Sequence, residues 1–227
     1  MSTGDDGRTL VPLKGIRGVI ARSLSAAWQA PRVAQGLDAD MSVALQRIER
    51  ERQTTGRKIS ITHAVLRSAA LALRDHRSVN GVVTEQGVEL WSQVNLGVAV
   101  NTVHGVVVPV LQQADAKDLA ALETEVAVLA DGARVGKLPA AAYQRGTFTV
   151  STLGATGIDW FTPVLNPPQI AILGVGRVAE RAVVVDGAVV PRPMMTLTLV
   201  FDHRALDGHP AGLFLADVVR RLSAGEF

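Results

Sequence analysis

Apolar residues recur at two periods along this chain, and the switching between them sets out its elements. Ile16, Val19, Ile20, Leu24 and Trp28 return at helical spacing and Pro31 closes that helix. A strand is expected around Val33 to Asp40. Ser42 then reads as the N-cap of a helix through Arg52, followed by a polar loop from Gln53 to Lys58. Between Ser60 and His76 the apolar positions Val65, Leu66, Ala69, Ala70 and Leu73 predict a helix buried on much of its circumference, with His63 and His76 in capping roles near its ends. Strands are predicted over Gly81 to Thr84, Val88 to Trp91, Val94 to Asn101 and Val106 to Leu111, with turns at Gln86-Gly87 and His104-Gly105. An amphipathic helix over Leu119 to Arg134 comes next. Thr147 to Ser151, Ile170 to Val175, Val183 to Val190 and Met194 to Phe201 supply the remaining strands. Helices and strands mix without regular alternation, so the expected class is α+β with a large mixed sheet.

The last strand carries the chemistry. Met195, Leu197, Leu199 and Phe201 alternate with Thr196, Thr198 and Val200, and the strand stops at Asp202, His203, Arg204 and, four residues past His203, Asp207-Gly208. A helix follows, with Ala211, Leu213, Phe214, Leu215, Val218, Val219 and Leu222 at helical spacing. An imidazole at such a strand end can face a cleft while rigid elements hold it. The residues alone leave three readings: catalysis, a structural ion pair, or a metal site built from His203, Asp207 and His209. Gly174, Gly176 and the Gly154 to Gly157 pair lack dinucleotide-fold or P-loop spacing and are expected to mark turns.

Composition narrows the function. The 227 residues are 48% hydrophobic, enough for one large core, and the net charge of +2 with few aromatics argues against a nucleic-acid partner. Zero cysteines exclude disulfides and a protein thiol nucleophile, and fit a reducing compartment. Residues 1 to about 13 are polar and read as a flexible tail without the apolar core of a signal peptide. No segment approaches the length of a membrane span, so a cytoplasmic protein is expected.

Several motifs then agree in order. Asp202-His203-Arg204-Ala205-Leu206-Asp207-Gly208, Gly146-Thr147-Phe148-Thr149-Val150-Ser151, Leu153-Gly154, Phe161-Thr162-Pro163, Asn166-Pro167-Pro168-Gln169 and Ala171 to Gly176 resemble the signatures of one family. It is the catalytic domain of dihydrolipoamide acyltransferases, the core component of 2-oxo-acid dehydrogenase complexes. The resemblance runs from about Lys14 to Leu222. It implies a chloramphenicol acetyltransferase-like two-layer sandwich over residues 14–227 and transfer of an acyl group between coenzyme A and dihydrolipoamide. It also implies a homotrimer with active sites between subunits, and no metal.

By the same resemblance His203 is the general base, and Ser151 of a neighbouring subunit stabilises the tetrahedral oxyanion. Asp207 maintains the geometry, and Arg17 is a supporting residue that pairs with it. Coenzyme A is a substrate, and the lipoyl group rides on another domain or protein, because no lipoyl or subunit-binding domain is evident in this sequence. Lipoyl domains and the other components of the complex are the partners implied. Lys117 opens a helix and is not expected to carry lipoate. Phe227 is the only possible anchor for a neighbouring trimer, so a larger cage is doubtful. Arg32 stands near a position that is often histidine. Two alternatives stand beside this reading: a free-standing chloramphenicol-type acetyltransferase and a non-catalytic core scaffold. Acyl specificity is not readable.

Overall fold

The protein is described by a computed structural model covering residues 2–3 and 8–227. The strands β1 (Arg32–Asp40), β2 (Leu96–Val98), β3 (Val110–Leu111), β4 (Phe148–Thr152), β5 (Ala171–Val185) and β6 (Ala188–Asp202) form a six-stranded sheet in the order β1-β6-β5-β4-β2-β3. β4 runs parallel to β2 and β5, and the other pairs are antiparallel. The helices are α1 (Gly15–Ala27), α2 (Ser42–Thr55), α3 (Ile61–Asp75), α4 (Leu119–Arg134) and α5 (Gly208–Ala224).

Period-two alternation divides the sheet faces. Phe148 and Val150 of β4, Ala171, Leu173 and Val175 of β5, and Met195, Leu197, Leu199 and Phe201 of β6 share one buried cluster with α2, α3 and α5. Phe148 meets Phe214 of α5 edge-on at 5.5 Å between ring centroids, joining sheet to helix layer. The reverse face is thinly covered: Ile172 and Val200 pack there with Leu165 and with Ala27 at the end of α1. Along α1, Val19 is 56% and Leu24 43% exposed, and Trp28 just past its end is 65% exposed. The helical spacing is present, but in the single chain its apolar side has little to pack against.

Local chemistry explains most boundaries. Ser60 and His63 form a capping box at the start of α3, and the Asp118 carboxylate accepts from Ala121 N at 2.8 Å to start α4. Ser42 is not the cap of α2. Met41 holds that position without a side-chain bond, while Asp40 Oδ1 accepts from Ser42 N and Oγ at 2.9 and 2.6 Å.

The predicted strands Ile170 to Val175, Val183 to Val190 and Met194 to Phe201 are parts of one long β5–β6 hairpin turning at Asp186-Gly187, both with positive φ. Arg177, Glu180, Arg181 and Arg192 look like breaks only because the outer part of the hairpin extends past β1 and needs no buried face. The predicted strands over 94–101 and 106–111 each split, and Val100–Thr102 with Gly105–Val107 leave the main sheet as a ribbon with His104 in its turn. The flexible tail expected over 1–13 falls partly outside the described residues. Within it, Ser2–Thr3 pair antiparallel with Thr9–Leu10.

Gly154 does open a short 3₁₀ turn closed by Gly157, but Gly174 and Gly176 lie inside β5. A Cβ on Gly176 would collide with the Asp159 carbonyl oxygen, and one on Gly174 would stand 2.9 Å from Pro163 Cδ. The 158–163 segment therefore rests directly on the strand. Gly176→Ala is expected to cost about 1–3 kcal/mol, read as a lower urea midpoint, whereas Gly157→Asn at the turn should cost far less.

His63 is buried, and burial pushes its imidazole below the usual value, partly offset by the Glu123 charge. Its Nδ1 accepts from Ser60 N at 3.1 Å, a bond the protonated ring cannot accept. The unfolded chain takes up this proton at higher pH than the folded chain. Stability from His63 is therefore complete above about pH 6.5 and is lost as pH falls through the folded pKa. His63→Gln keeps the capping pattern without the titration. It should flatten the fall in unfolding midpoint between pH 7.5 and 5.5.

Candidate active site

β6 delivers the histidine. Asp202 N donates to Ile170 O at 2.9 Å on one side of the strand end, and His203 N donates to Pro31 O at 2.8 Å on the other. Ala205 N and Leu206 N then both donate to Asp202 O, turning the chain into α5. The His203 ring leans over Phe201 at 5.8 Å between centroids, and its Nδ1 lies 3.7 Å from Asp207 Oδ1. That separation is an electrostatic contact rather than a hydrogen bond. The His203 side chain is 41% exposed and that of Asp207 85%, so both are open to a ligand or a neighbouring chain.

Asp202 goes the other way. Its carboxylate is almost fully buried, and Arg204 N and Nε each donate to Oδ1 at 3.0 Å while Nη2 donates to Oδ2 at 2.5 Å. Burial would raise this carboxyl, but the Arg204 hydrogen bonds and charge outweigh it and hold it below its usual value. Asp202 and Arg204 border a cavity of about 140 Å³ on the reverse face, whose walls include Ala27, Leu165, Pro168 and Gln169. Beside it the Thr149 hydroxyl donates to Gln169 Oε1 at 2.5 Å and accepts from Asn166 Nδ2 at 3.2 Å.

Ser151 sits at the far end of the same sheet. It follows Val150 on β4 and so points away from the helix layer, in a row with Gly174, Thr198 and Gly36. His203 lies five residues beyond Thr198 and two strands across from β4. At about 3.3 Å per residue and about 4.8 Å per strand, the two Cα positions are roughly 20 Å apart. One chain therefore does not bring Ser151 and His203 together.

Among the described residues, Arg17 forms no ion pair with Asp207. Its guanidinium lies beside Gly105, which corrects the expected pairing within one chain. Arg32 stacks over Trp28 at 3.4 Å from the ring centroid, next to the Pro31 carbonyl that holds His203. Lys117 Nζ pairs with Glu125 at 2.9 Å. No group of three or more metal-ligating side chains gathers among the described residues. No helix among them is long and apolar enough to cross a membrane. Asp202 and Arg204 are missing from the site residues expected above, and the signal for them in the sequence is the pair of opposite charges at i−1 and i+1 of the histidine.

Residues 5–226 match the family described as 2-oxoacid dehydrogenases acyltransferase (catalytic domain). The chain is 33% identical over 226 residues to the dihydrolipoyllysine-residue acetyltransferase component of the pyruvate dehydrogenase complex of Bacillus subtilis (strain 168), covering 97% of this chain and 51% of that protein. It thus spans about half the length of the curated relatives it matches. The solved dihydrolipoamide acetyltransferase of Azotobacter vinelandii superposes with a TM-score of 0.91 at 31% identity, covering 98% of this chain and 96% of that one. The cubic core of the pyruvate dehydrogenase multienzyme complex gives the same TM-score, identity and coverage. Chloramphenicol acetyltransferase, at a TM-score of 0.58 and 15% identity over 88% of this chain and 94% of that one, shares the fold.

The expected doubt about a larger cage needs correction on two counts. A chain of this shape builds a cubic core in that solved complex. The Phe227 ring, moreover, is buried in its own chain's core beneath Arg47, 4.5 Å from the ring centroid, and is no free anchor whose scarcity limits assembly. The mixed sheet with its helix layer agrees with the match over nearly the whole sequence: the chain belongs to the 2-oxoacid dehydrogenase acyltransferase family, in its catalytic domain.

Proposed function

We propose that residues 14–227 form an acyltransferase domain that moves an acyl group, acetyl in the first instance, between coenzyme A and dihydrolipoamide. His203 is the general base, Asp207 its orienting partner, and Ser151 of a neighbouring subunit the oxyanion donor. The observation that carries the reading is the strand-end imidazole, exposed beside a carboxylate but roughly 20 Å from the serine of its own chain. In the Azotobacter enzyme a serine, a histidine and an asparagine were investigated for their roles in the catalytic mechanism. They stand at the same intervals as Ser151, His203 and Asp207 do here. Asp207 stands where that enzyme has asparagine.

The chemistry follows from acidities. With Asp207 facing Nδ1, the neutral ring keeps its proton there and offers Nε2 to a thiol whose own pKa is about 8.5. The thiolate attacks the thioester carbonyl. The oxygen takes the negative charge and accepts a hydrogen bond from the Ser151 hydroxyl, a contribution worth roughly 10² to 10³ in rate. Collapse of the adduct expels the second thiolate, which recovers the proton from the imidazolium. With no cysteine in the chain, transfer passes directly between the two bound thiols.

The smallest assembly that completes such a site is a cyclic trimer, in which each interface joins one His203 to the next subunit's Ser151. The exposed apolar side of α1 is consistent with burial in that contact. The lipoyl group arrives on a separate domain or protein, in the cytoplasm. Ser151 and His203 together favour catalysis over a purely scaffolding role.

His203→Ala is expected to abolish most thiol release from acetyl-CoA with dihydrolipoamide, and chloramphenicol as acceptor should give none. Full turnover by His203→Ala, or preference for chloramphenicol, would overturn the assignment. Ser151→Ala should lower kcat by roughly 10² to 10³ with little change in KM. Co-assembling His203→Ala chains with Ser151→Ala chains tests the shared site. Random mixing leaves one intact pairing in each mixed trimer and should restore about a quarter of wild-type activity. No recovery in verified mixed trimers would place both residues' work within single chains.

A further inference from the structure

The Asp202–Arg204 pair has no part in the proposed chemistry, yet it brackets the base. Buried carboxylates are costly unless fully paired, and this one accepts from a guanidinium on both oxygens and from a backbone N–H as well. The partner lies two residues away, so the four contacts close a tight loop whose middle residue is His203. Both charged side chains meet on the cavity side, where Leu165, Pro168 and Gln169 stand. The imidazole lies on the opposite side, against Phe201 and toward Asp207.

We propose that Asp202 and Arg204 act as a positioning clamp that fixes the direction of the His203 imidazole. They do so by tying residues 202 and 204 together on the face of the sheet that the ring must avoid. Strand hydrogen bonding stops at His203 N, and beyond it only the turn bonds to Asp202 O continue. Without the clamp, the His203 side chain would depend on the ring contact to Phe201 and a 3.7 Å approach to an exposed carboxylate. The pair is also electrically neutral, so it orients the base without adding net charge beside it. A second tie works from the other end of the loop: Gln35 Nε2 of β1 donates to Gly208 O at 2.9 Å, anchoring the residue after Asp207 to the sheet edge.

The inference rests on His203 being the base, and the test separates the two. Arg204→Met and the double variant Asp202→Asn, Arg204→Gln would be compared with His203→Ala in the assembled protein. Readouts are kcat, KM for acetyl-CoA and for dihydrolipoamide, unfolding midpoint and assembled mass. Misdirecting a catalytic group by about 1 Å can cost 10²-fold. Arg204→Met is accordingly expected to lose about 10- to 100-fold in kcat with each KM within about twofold. The neutral Asn–Gln pair, which can still hydrogen-bond across His203, should recover at least threefold of that loss. The clamp is overturned if Arg204→Met keeps wild-type kcat while His203→Ala is inactive. It is equally overturned if the kcat loss follows loss of assembly and the neutral pair recovers none of it. Activity in His203→Ala would instead remove the reading beneath it.

Discussion

The end of β6 is pinned from both sides, and the geometry of the site depends on that constraint. Consecutive backbone N–H groups at Asp202 and His203 donate to opposite neighbours, Ile170 ahead of β5 and Pro31 ahead of β1. Consecutive side chains must then leave on opposite faces. The apolar alternation from Met195 to Phe201 decides which face is which, because the odd-numbered positions are committed to the helix layer. Asp202 falls on the reverse face and meets Arg204, and the His203 ring leans over Phe201. A one-residue slip of β6 would reverse both, so burial of four apolar side chains fixes where the imidazole goes.

A second constraint comes from the sheet's dimensions. Ser151 and His203 occupy opposite ends of strands β4 and β6, with β5 between them, and no side-chain rotation spans roughly 20 Å. If both act on one thioester, the second comes from another copy. The single chain also leaves the apolar side of α1 and the reverse face of the sheet thinly covered. In the proposed trimer one contact would supply both remedies, covering the exposed side of α1 and joining Ser151 to a neighbour's His203.

Much of this was legible in the sequence where burial imposes a period. Both α4 and the inner half of β6 fell close to their expected limits because one face of each packs on the core. The outer β5–β6 hairpin was not legible as one element. It stands clear of the helix layer, so Arg177 or Arg192 can occupy it without breaking a pattern, and only Asp186-Gly187 marked the turn. Gly174 and Gly176 lie in a strand rather than in turns for a related reason. Glycine in a strand can signal a close backbone approach as readily as a turn, and the approaching segment, 158–163, is remote in contact order from anything a local pattern reports. In the site, the motif marked His203, Ser151 and Asp207, and the opposite charges at 202 and 204 stood on either side of the histidine, but that these two pair with each other on one face follows only from the strand end.

The exposure of Asp207 bears on what the proposed assembly would add to the site. In the single chain its side chain is 85% exposed, and a carboxylate facing an imidazole at 3.7 Å through water contributes little to holding the ring. Orientation there falls to the backbone bonds and, on the clamp proposed above, to the buried Asp202 carboxylate held by Arg204. In the proposed trimer, a neighbouring subunit that covered this cleft would let the same separation act through a lower dielectric and strengthen the interaction. On the proposed reading, the intrachain contacts set the direction of the His203 ring before assembly, and burial in the trimer contact would then strengthen its interaction with Asp207.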